Sequence, residues 1–500
     1  MRTGAPTPRP ILVVGAGPVG LTMAAELARF GVPVRIIDKA AEPTDKSKAL
    51  VLWSRTLELI DRMGCGSAFA AAGSKVVAVN ITAGAKRIAH VDFASVATPH
   101  PYTLMLPQSE TERLLTEHLA RLGVHVDRQV ELIGLEAAAD GIAATLRHAD
   151  GHQEIVFAAT LIGCDGAHST VRHGVGMEFV GETLPSDWIL GDVHLLGLRT
   201  PPTELDMYWH AEGVLALFPI EPGRYRVIAD VANADGGTGR REPTLADVQA
   251  VIDRRGPGGI TISDPVWLAA FQINERMVAD YRAGRVFLAG DAAHIHSPAG
   301  GQGMNTGMQD ACNLAWKLAV VWHGTCRPEP LLASYSIERS AVGRQVLAAA
   351  GRITALAVMR GAVLQAVRNH VASLIFGLAP VRRAMANTLT ELSIGYPESP
   401  LTRPGRRNPA GPAPGARAPV SAGVDLVGAG SMPRFALFAA ADAAGAALIE
   451  RHRDLLEPTC RPPFDADGIW LVRPDGYVAM VTGRGRWSEI GAYLDELSAG

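Results

Sequence analysis

Cysteine is scarce in this sequence, and so are aromatic residues, long apolar runs and any excess of charge. The five cysteines (Cys65, Cys164, Cys312, Cys326, Cys460) stand singly, with no C-x-x-C pair. This excludes a zinc ribbon and a thioredoxin-type dithiol, and an odd, sparse set fits a reducing compartment better than a disulfide scaffold. The net charge is -3, without a block of like charge, so a nucleic-acid partner, which needs a concentrated basic face, is not expected. Residues 1–10 carry Arg2, Arg9 and three prolines but no apolar run, which makes a poor signal peptide. The most apolar stretch, 346–380, is broken by Arg352, Arg360, Arg368, Asn369 and His370. A bilayer span needs about 20 nearly uninterrupted apolar residues, so neither a transmembrane helix nor a membrane partner is expected, and the chain is read as cytoplasmic.

What is present is globular. Apolar residues make up 48% and charged residues 19% of 500, too long a chain for a single core. Ile11–Val14 is an apolar run between Pro10 and Gly15 and reads as a buried strand; residues 21–30 read as a helix stopped by Gly31, and 34–37 as a second strand ending at Asp38. The expected class is α/β, with a discontinuous Rossmann-like domain over 1–180 and 276–395. From 181 to 275, spaced apolar runs with turns such as Glu221-Pro222-Gly223 predict an inserted antiparallel sheet. Residues 396–420 have the Pro, Gly and Arg content of a linker, and 421–500 read as a small α/β module.

Two glycine motifs carry chemistry. In Gly15-x-Gly17-x-x-Gly20, the first glycine permits a tight turn, the second lets the backbone approach a pyrophosphate, and the third lets helix and strand pack closely. The helix N-terminus then faces phosphate, and Asp38, at the end of the next strand, can accept from a ribose hydroxyl. The motif does not by itself separate NAD from FAD. In the second motif, the strand 286–289 leads to Gly290-Asp291-Ala-Ala-His294 and then to Ser297-Pro-Ala-Gly-Gly-Gln-Gly-Met-Asn305. A carboxylate at a strand end can bind a polyol, and successive backbone N–H groups at a helix start can hold an electron-rich ring edge.

With Gly163-Cys-Asp165-Gly166-Ala-His-Ser169-Thr-Val-Arg172 between them, these motifs resemble the FAD-dependent aromatic hydroxylases, the class A flavoprotein monooxygenases. The resemblance runs from Gly15 to Lys317. The tail, with Pro414-Gly415-Ala-Arg417 and Pro474-Asp475-Gly476-Tyr477, is similar to the thioredoxin-like module of the phenol hydroxylase and aromatic polyketide hydroxylase branch; with Cys460 alone it has no thiol exchange. The resemblance implies FAD held by Gly15, Gly17, Pro18, Gly20, Asp38, Lys39, Lys46, Lys48, Arg55, Gln108, Val130, Asp165, Arg172, Asp291, Pro298, Gly301, Gln302, Gly303, Met304 and Asn305. Many relatives carry arginine where Lys48 stands, and lysine lacks the planar fork for a bidentate contact.

The activity implied is NAD(P)H-consuming hydroxylation of a phenolic or polycyclic aromatic with O2, through a flavin hydroperoxide, by a monomer or homodimer. No second glycine fingerprint gives NAD(P)H its own domain. Candidate catalytic positions are Pro298, Gly300 and Gly301 at the flavin edge, with His210, His296 and Trp53. His210 also reads as an ordinary sheet histidine and Trp53 as a packing residue. Arg224 and Arg226 flank a turn and read as solvated or structural, so no arginine presents itself to clamp a carboxylate, and a neutral substrate is favoured. The competing readings are Baeyer–Villiger or epoxidising chemistry on the same fold, and a non-catalytic flavoprotein.

Overall fold

The computed structural model describes residues 9–44, 49–231, 241–298, 300–357, 359, 361–404, 410–420 and 423–499. At its centre is a six-stranded sheet in the order Arg282–Ala283, Val286–Leu288, Thr160–Gly163, Ile11–Val14, Val34–Asp38, Val126–Arg128. All neighbours run parallel except the first pair. Ile11–Val14 is apolar throughout because it is covered on both faces, as parallel strands usually are. The helix Pro18–Arg29 follows it, with proline in the first turn, where a missing N–H is harmless. Gly303–Trp322 packs beside it.

The second sheet has eight strands, in the order His294–Ile295, Thr261–Met277, Val180–Leu196, Arg224–Val231, Gly213–Glu221, Glu204–His210, Ala78–Ala83, Lys86–Asp92. Two of these strands come from residues 78–92. The sheet expected as an insertion of 181–275 is thus completed by chain that precedes it. The seam between Glu204–His210 and Ala78–Ala83 is a parallel pairing in an otherwise antiparallel sheet.

Both faces of this sheet are apolar. Val193, Leu215, Leu217, Val227 and Ala229 form one core with Val248 and Val251 of the helix Leu245–Arg255, whose start is fixed by a Thr244–Asp247 capping box. Alternate residues on the other face, including Phe218 and Ile228, pack with Leu50, Val51 and Trp53 and with the helices Ala362–Phe376 and Ala379–Leu389. The cavity described below opens between this face and the parallel sheet.

The C-terminal unit is a three-stranded antiparallel sheet, Ala436–Phe438, Gly468–Val472 and Val478–Gly483, with helices Ala443–Arg451 and Trp487–Leu497. Among the described residues of the segment read as a linker, Tyr396, Leu401 and Ala418 are buried. Among the described residues no helix is long and apolar enough to cross a membrane, and no cluster of side chains could hold a metal ion.

Candidate cofactor and substrate site

The three glycines of the first motif meet different surroundings. A Cβ on Gly15 would lie 2.4 Å from the Cys164 carbonyl oxygen, and one on Gly20 would lie 1.9 Å from the Gly15 carbonyl oxygen. These two are required by the protein's own packing, and Gly15 also has φ +101°. A Cβ on Gly17 would meet nothing within 4 Å. Its backbone is extended, with φ -75° and ψ -176°, so nothing in the chain itself demands glycine there. The space beside it is part of a cavity of about 540 Å³.

That cavity is bounded on one side by Gly17, Pro18, Gln108, Asp291, Gly303 and Met304. On the other are Phe218, Arg226 and Ile228 of the large sheet, with Leu50, Val51, His296, Pro298 and Gly301 between. The residues present fit FAD. A glycine without neighbours stands at a helix N-terminus for the pyrophosphate, and Asp291 stands at a strand end for the ribityl chain. The first turn of Gly303–Trp322 leaves its N–H groups for a ring edge. Asp38 holds the first turn in shape by accepting from the Ala16 N–H at 2.6 Å and the Ala40 N–H at 2.8 Å. Gln108 accepts from the Ala49 N–H at 3.2 Å and donates to Glu112 at 2.9 Å.

Several expected residues act one layer behind the cavity. Asn305 accepts from the Trp53 N–H at 2.8 Å and donates to the Val51 and Gly301 carbonyls at 2.8 and 2.9 Å. The Trp53 indole donates to the Gly300 carbonyl at 2.8 Å and meets Phe93 edge to face. Trp53, Gly300 and Asn305 therefore shape the loop rather than line the cavity. Gln302 is buried and donates to the Thr388 carbonyl. Asp165 accepts from Ser169 at 2.6 Å and from the Val171 N–H, and burial raises its carboxyl pKa. Arg172 donates to the Ala292 and Ala167 carbonyls and lies over the Phe179 ring. Both are braces. Val130 is in the core, and Lys39 is exposed beside Asp38.

Two residues lie elsewhere than expected. Arg55 does not line the cavity: it is buried, pairs with Glu58 at 2.9 Å, donates to the Asp475 carbonyl at 2.6 Å and lies over Tyr477. His210 is not at the cavity, because its strand ends in a tight hairpin where its Nδ1 accepts from the Glu212 N–H. Lys46 and Lys48 lie outside the described residues.

His296 does line the cavity. Its Nδ1–H donates to the Ser297 carbonyl at 2.8 Å, which leaves Nε2 as an acceptor without a partner. Burial, with His294 stacked alongside, pushes its pKa down to about 4, so the ring is neutral at physiological pH. His294 has a different task. With the Gly290 N–H and Arg339, at 2.9, 3.0 and 2.6 Å, it converges on the buried carboxylate of Asp310 and fixes the Gly290–Asp291 turn. Burial alone would raise the Asp310 carboxyl, but Arg339 and His294 hold it below the ordinary range.

Of the two readings offered for Arg226, solvated or structural, the structure shows the second, in a place the sequence did not indicate: it is fully buried in the cavity wall, gripped by Asp192 through two hydrogen bonds of 2.7 Å, with the Trp267 indole on the same carboxylate at 3.1 Å. Asp192 and Arg226 are directly opposed across two antiparallel strands. A strand-periodic signal was available: in Tyr225–Val231 the residues 225, 227 and 229 fill the far core, which sends 226 and 228 to the near face.

Residues 9–350 match the family model described as FAD binding domain. Over 97% of its length the chain is 36% identical to 6-methylpretetramide 4-monooxygenase of Streptomyces rimosus, covering 93% of that protein. It is 36% identical to rifampicin monooxygenase of Streptomyces venezuelae, over 77% of this chain and 79% of that one. Its fold matches the solved anhydrotetracycline hydroxylase OxyS from Streptomyces rimosus with a TM-score of 0.80 and 30% identity, over 99% of this chain and 100% of the other. The chain belongs to the FAD binding domain family, as a class A flavoprotein monooxygenase of the aromatic hydroxylase kind.

Proposed function

We propose that the chain hydroxylates a neutral, polycyclic phenolic compound of polyketide type. One observation carries the reading: a single cavity joins the Gly17–Asp291–Gly303 cradle to an apolar sheet face bearing Phe218 and Ile228. Relatives named for 6-methylpretetramide, rifampicin and anhydrotetracycline point to the same substrate class. The one arginine in the cavity wall among the described residues already has Asp192 as its counter-charge, which favours a substrate without a carboxylate.

When bound, FAD supplies hydride acceptance from NAD(P)H and the delivery of one atom of O2 to the ring. The chain's residues bind, orient and exclude water. Gly17 and the start of Pro18–Arg29 receive the pyrophosphate, Asp291 a ribityl hydroxyl, and Gly303 and Met304 the ring edge through backbone N–H groups. Pro298, Gly300 and Gly301 shape the flavin side of the cavity, held by Trp53 and Asn305. Neutral His296 offers Nε2 as acceptor for a phenolic hydrogen, which raises electron density on the ring. We read the enzyme as cytoplasmic.

The test is a panel of polycyclic phenols and simple benzoates, scored by stimulated NADPH and NADH oxidation with oxygen uptake and by NMR of the product. Coupled hydroxylation of the polycyclic phenols supports the reading. Preference for benzoates contradicts the substrate class, and oxygen inserted beside a ketone contradicts the reaction.

A further inference from the structure

The helix Ala362–Phe376 is built inside out. Gln365 and Arg368 are its buried polar residues; Gln365 donates to the Ala211 and Met359 carbonyls at 3.1 and 2.7 Å, and Arg368 donates to Leu356 and lies over Trp209. Val363, Leu364, Val367, Val371, Leu374 and Ile375 are 43–78% exposed. At 3.6 residues per turn these six fall within about a third of the helix circumference. Leu378, just past the helix, extends the stripe. Such a contiguous apolar face on a globular surface marks an interaction site.

Within its own stretch of chain the charge is of one sign. Between Glu338 and Glu391 there is no acidic residue but seven arginines. Arg339 and Arg368 are turned inward. Near the stripe, His370 and Arg383 are exposed, and Arg382 caps the helix by donating to the Phe376 and Gly377 carbonyls. Lys86, from the neighbouring hairpin, reaches Ser373 of the same helix at 3.1 Å. The acids on neighbouring elements lie toward its ends: Glu275 is beside Gly351, next to Arg344 and Arg352, Glu212 follows the Ala211 contact and faces Arg254 at 3.8 Å, and Asp92 ends the strand that begins at Lys86. A second copy docked by two-fold symmetry would set Arg382, Arg383 and Lys86 close to their own like charges.

We propose that this face rests on an anionic lipid surface, with the six apolar side chains at the acyl boundary and the cations among the headgroups. The stretch too interrupted to span a bilayer is then an interfacial helix, whose apolar stripe and cationic rim add their contributions. The proposal departs from the expectation of no membrane partner. The same helix packs on the core that includes Leu50, Val51, Phe218 and Ile228 of the cavity wall, so the seated face adjoins the site where an apolar substrate enters.

The experiment uses the full-length FAD-loaded protein and vesicles of phosphatidylcholine with or without an equal share of phosphatidylglycerol. Co-sedimentation is expected with the anionic vesicles, weaker on pure phosphatidylcholine and at about 0.5 M salt, where charges are screened. V367E/L374E alters exposed positions only, so flavin content should remain normal while vesicle binding falls about tenfold or more. K86E/R383E should lose the preference for anionic lipid. Failure of the wild type to bind anionic vesicles overturns the proposal. So does a dimer, seen by sedimentation velocity, that V367E/L374E dissociates. Lipid binding is read without turnover, so this test stands or falls separately from the hydroxylase assignment.

Discussion

The helix Gly303–Trp322 serves two regions built from opposite materials. Its first turn faces the cavity, where the wall is glycine, backbone N–H and apolar side chain. Its later turns face the C-terminal unit, where the contact is a buried and fully paired cluster of charge. Glu338 receives Lys317 at 2.8 Å, Arg473 at 2.6 and 3.0 Å, and Asn313 at 2.7 Å. Asp475 receives Arg473 and, at 3.1 Å, the Trp316 indole. Two cations meet two anions. Burial alone would raise the Glu338 carboxyl, but Arg473 and Lys317 hold it well below its usual range, while burial pushes the Lys317 ammonium down to about 8. The difference teaches how to read a sequence motif. Where donors and space are left over, a ligand is expected; where every group is answered within the chain, the residues hold domains together. Arg55, Arg62 and Arg417 also join the two regions: through its terminal nitrogens each ties residues 54–63 to the C-terminal unit or the segment leading into it, although the Nε of each is left without a partner.

If that contrast is right, the largest effect comes from the junction. Glu338→Gln leaves Lys317 and Arg473 short of a buried counter-charge and should cost about 3–5 kcal/mol of stability, measured by denaturant melts, while the molecules that remain folded keep FAD. A large loss of flavin affinity without loss of stability would place Glu338 with the wrong region. Next is Asp291→Ala, which should weaken FAD by about tenfold to hundredfold, since a charged hydrogen bond contributes about 1.5–3 kcal/mol. Flavin fluorescence titration reads this.

Smaller effects follow from two buried titrating groups, His296 in the cavity wall and Glu391 against Gln309. Burial pushes the Glu391 carboxyl from 4.5 up to about 8. The native state then keeps a proton that the unfolded chain sheds, so stability is lost as pH rises from 4.5 to 8. Glu391→Gln should remove that loss and raise stability at pH 8 by about 1 kcal/mol or more. The His296 pKa is lowered from 6.5 to about 4. Below 6.5 the unfolded chain binds a proton that the native state refuses, so stability falls as pH drops through this window. In His296→Asn the slope should shrink by about one proton, together with lower turnover on phenols at neutral pH.

The cradle was legible in sequence because glycine spacing, a strand end and a helix start are local features. Ile11–Val14, the following helix and Asp38 appear where the pattern places them. What escaped depends on contacts far apart in the chain. Arg226 became a cavity residue only by pairing across strands with Asp192. Arg55 reaches not the cavity but a residue 420 positions away. Residues 78–92 joined a sheet that begins a hundred residues later, through a parallel seam that no local period announces. The Pro- and Gly-rich stretch looked loose by composition, yet Tyr396 and Leu401 are buried in it, because Tyr396 hydrogen-bonds Arg339 and the Leu401 carbonyl accepts from Tyr493.

The central claim is that Gly17 is glycine for a ligand, while Gly15 and Gly20 are glycine for the fold. Measurement of FAD affinity and thermal stability in Gly17→Ala tests it most directly. The added methyl meets no atom of the chain, so the melt should stay within about 1 kcal/mol of wild type, the range of a lost glycine cap, while FAD binding weakens about tenfold or more. Gly20→Ala, with its 1.9 Å clash, should instead lose the fold. Wild-type FAD affinity in a well-folded Gly17→Ala protein would contradict the account.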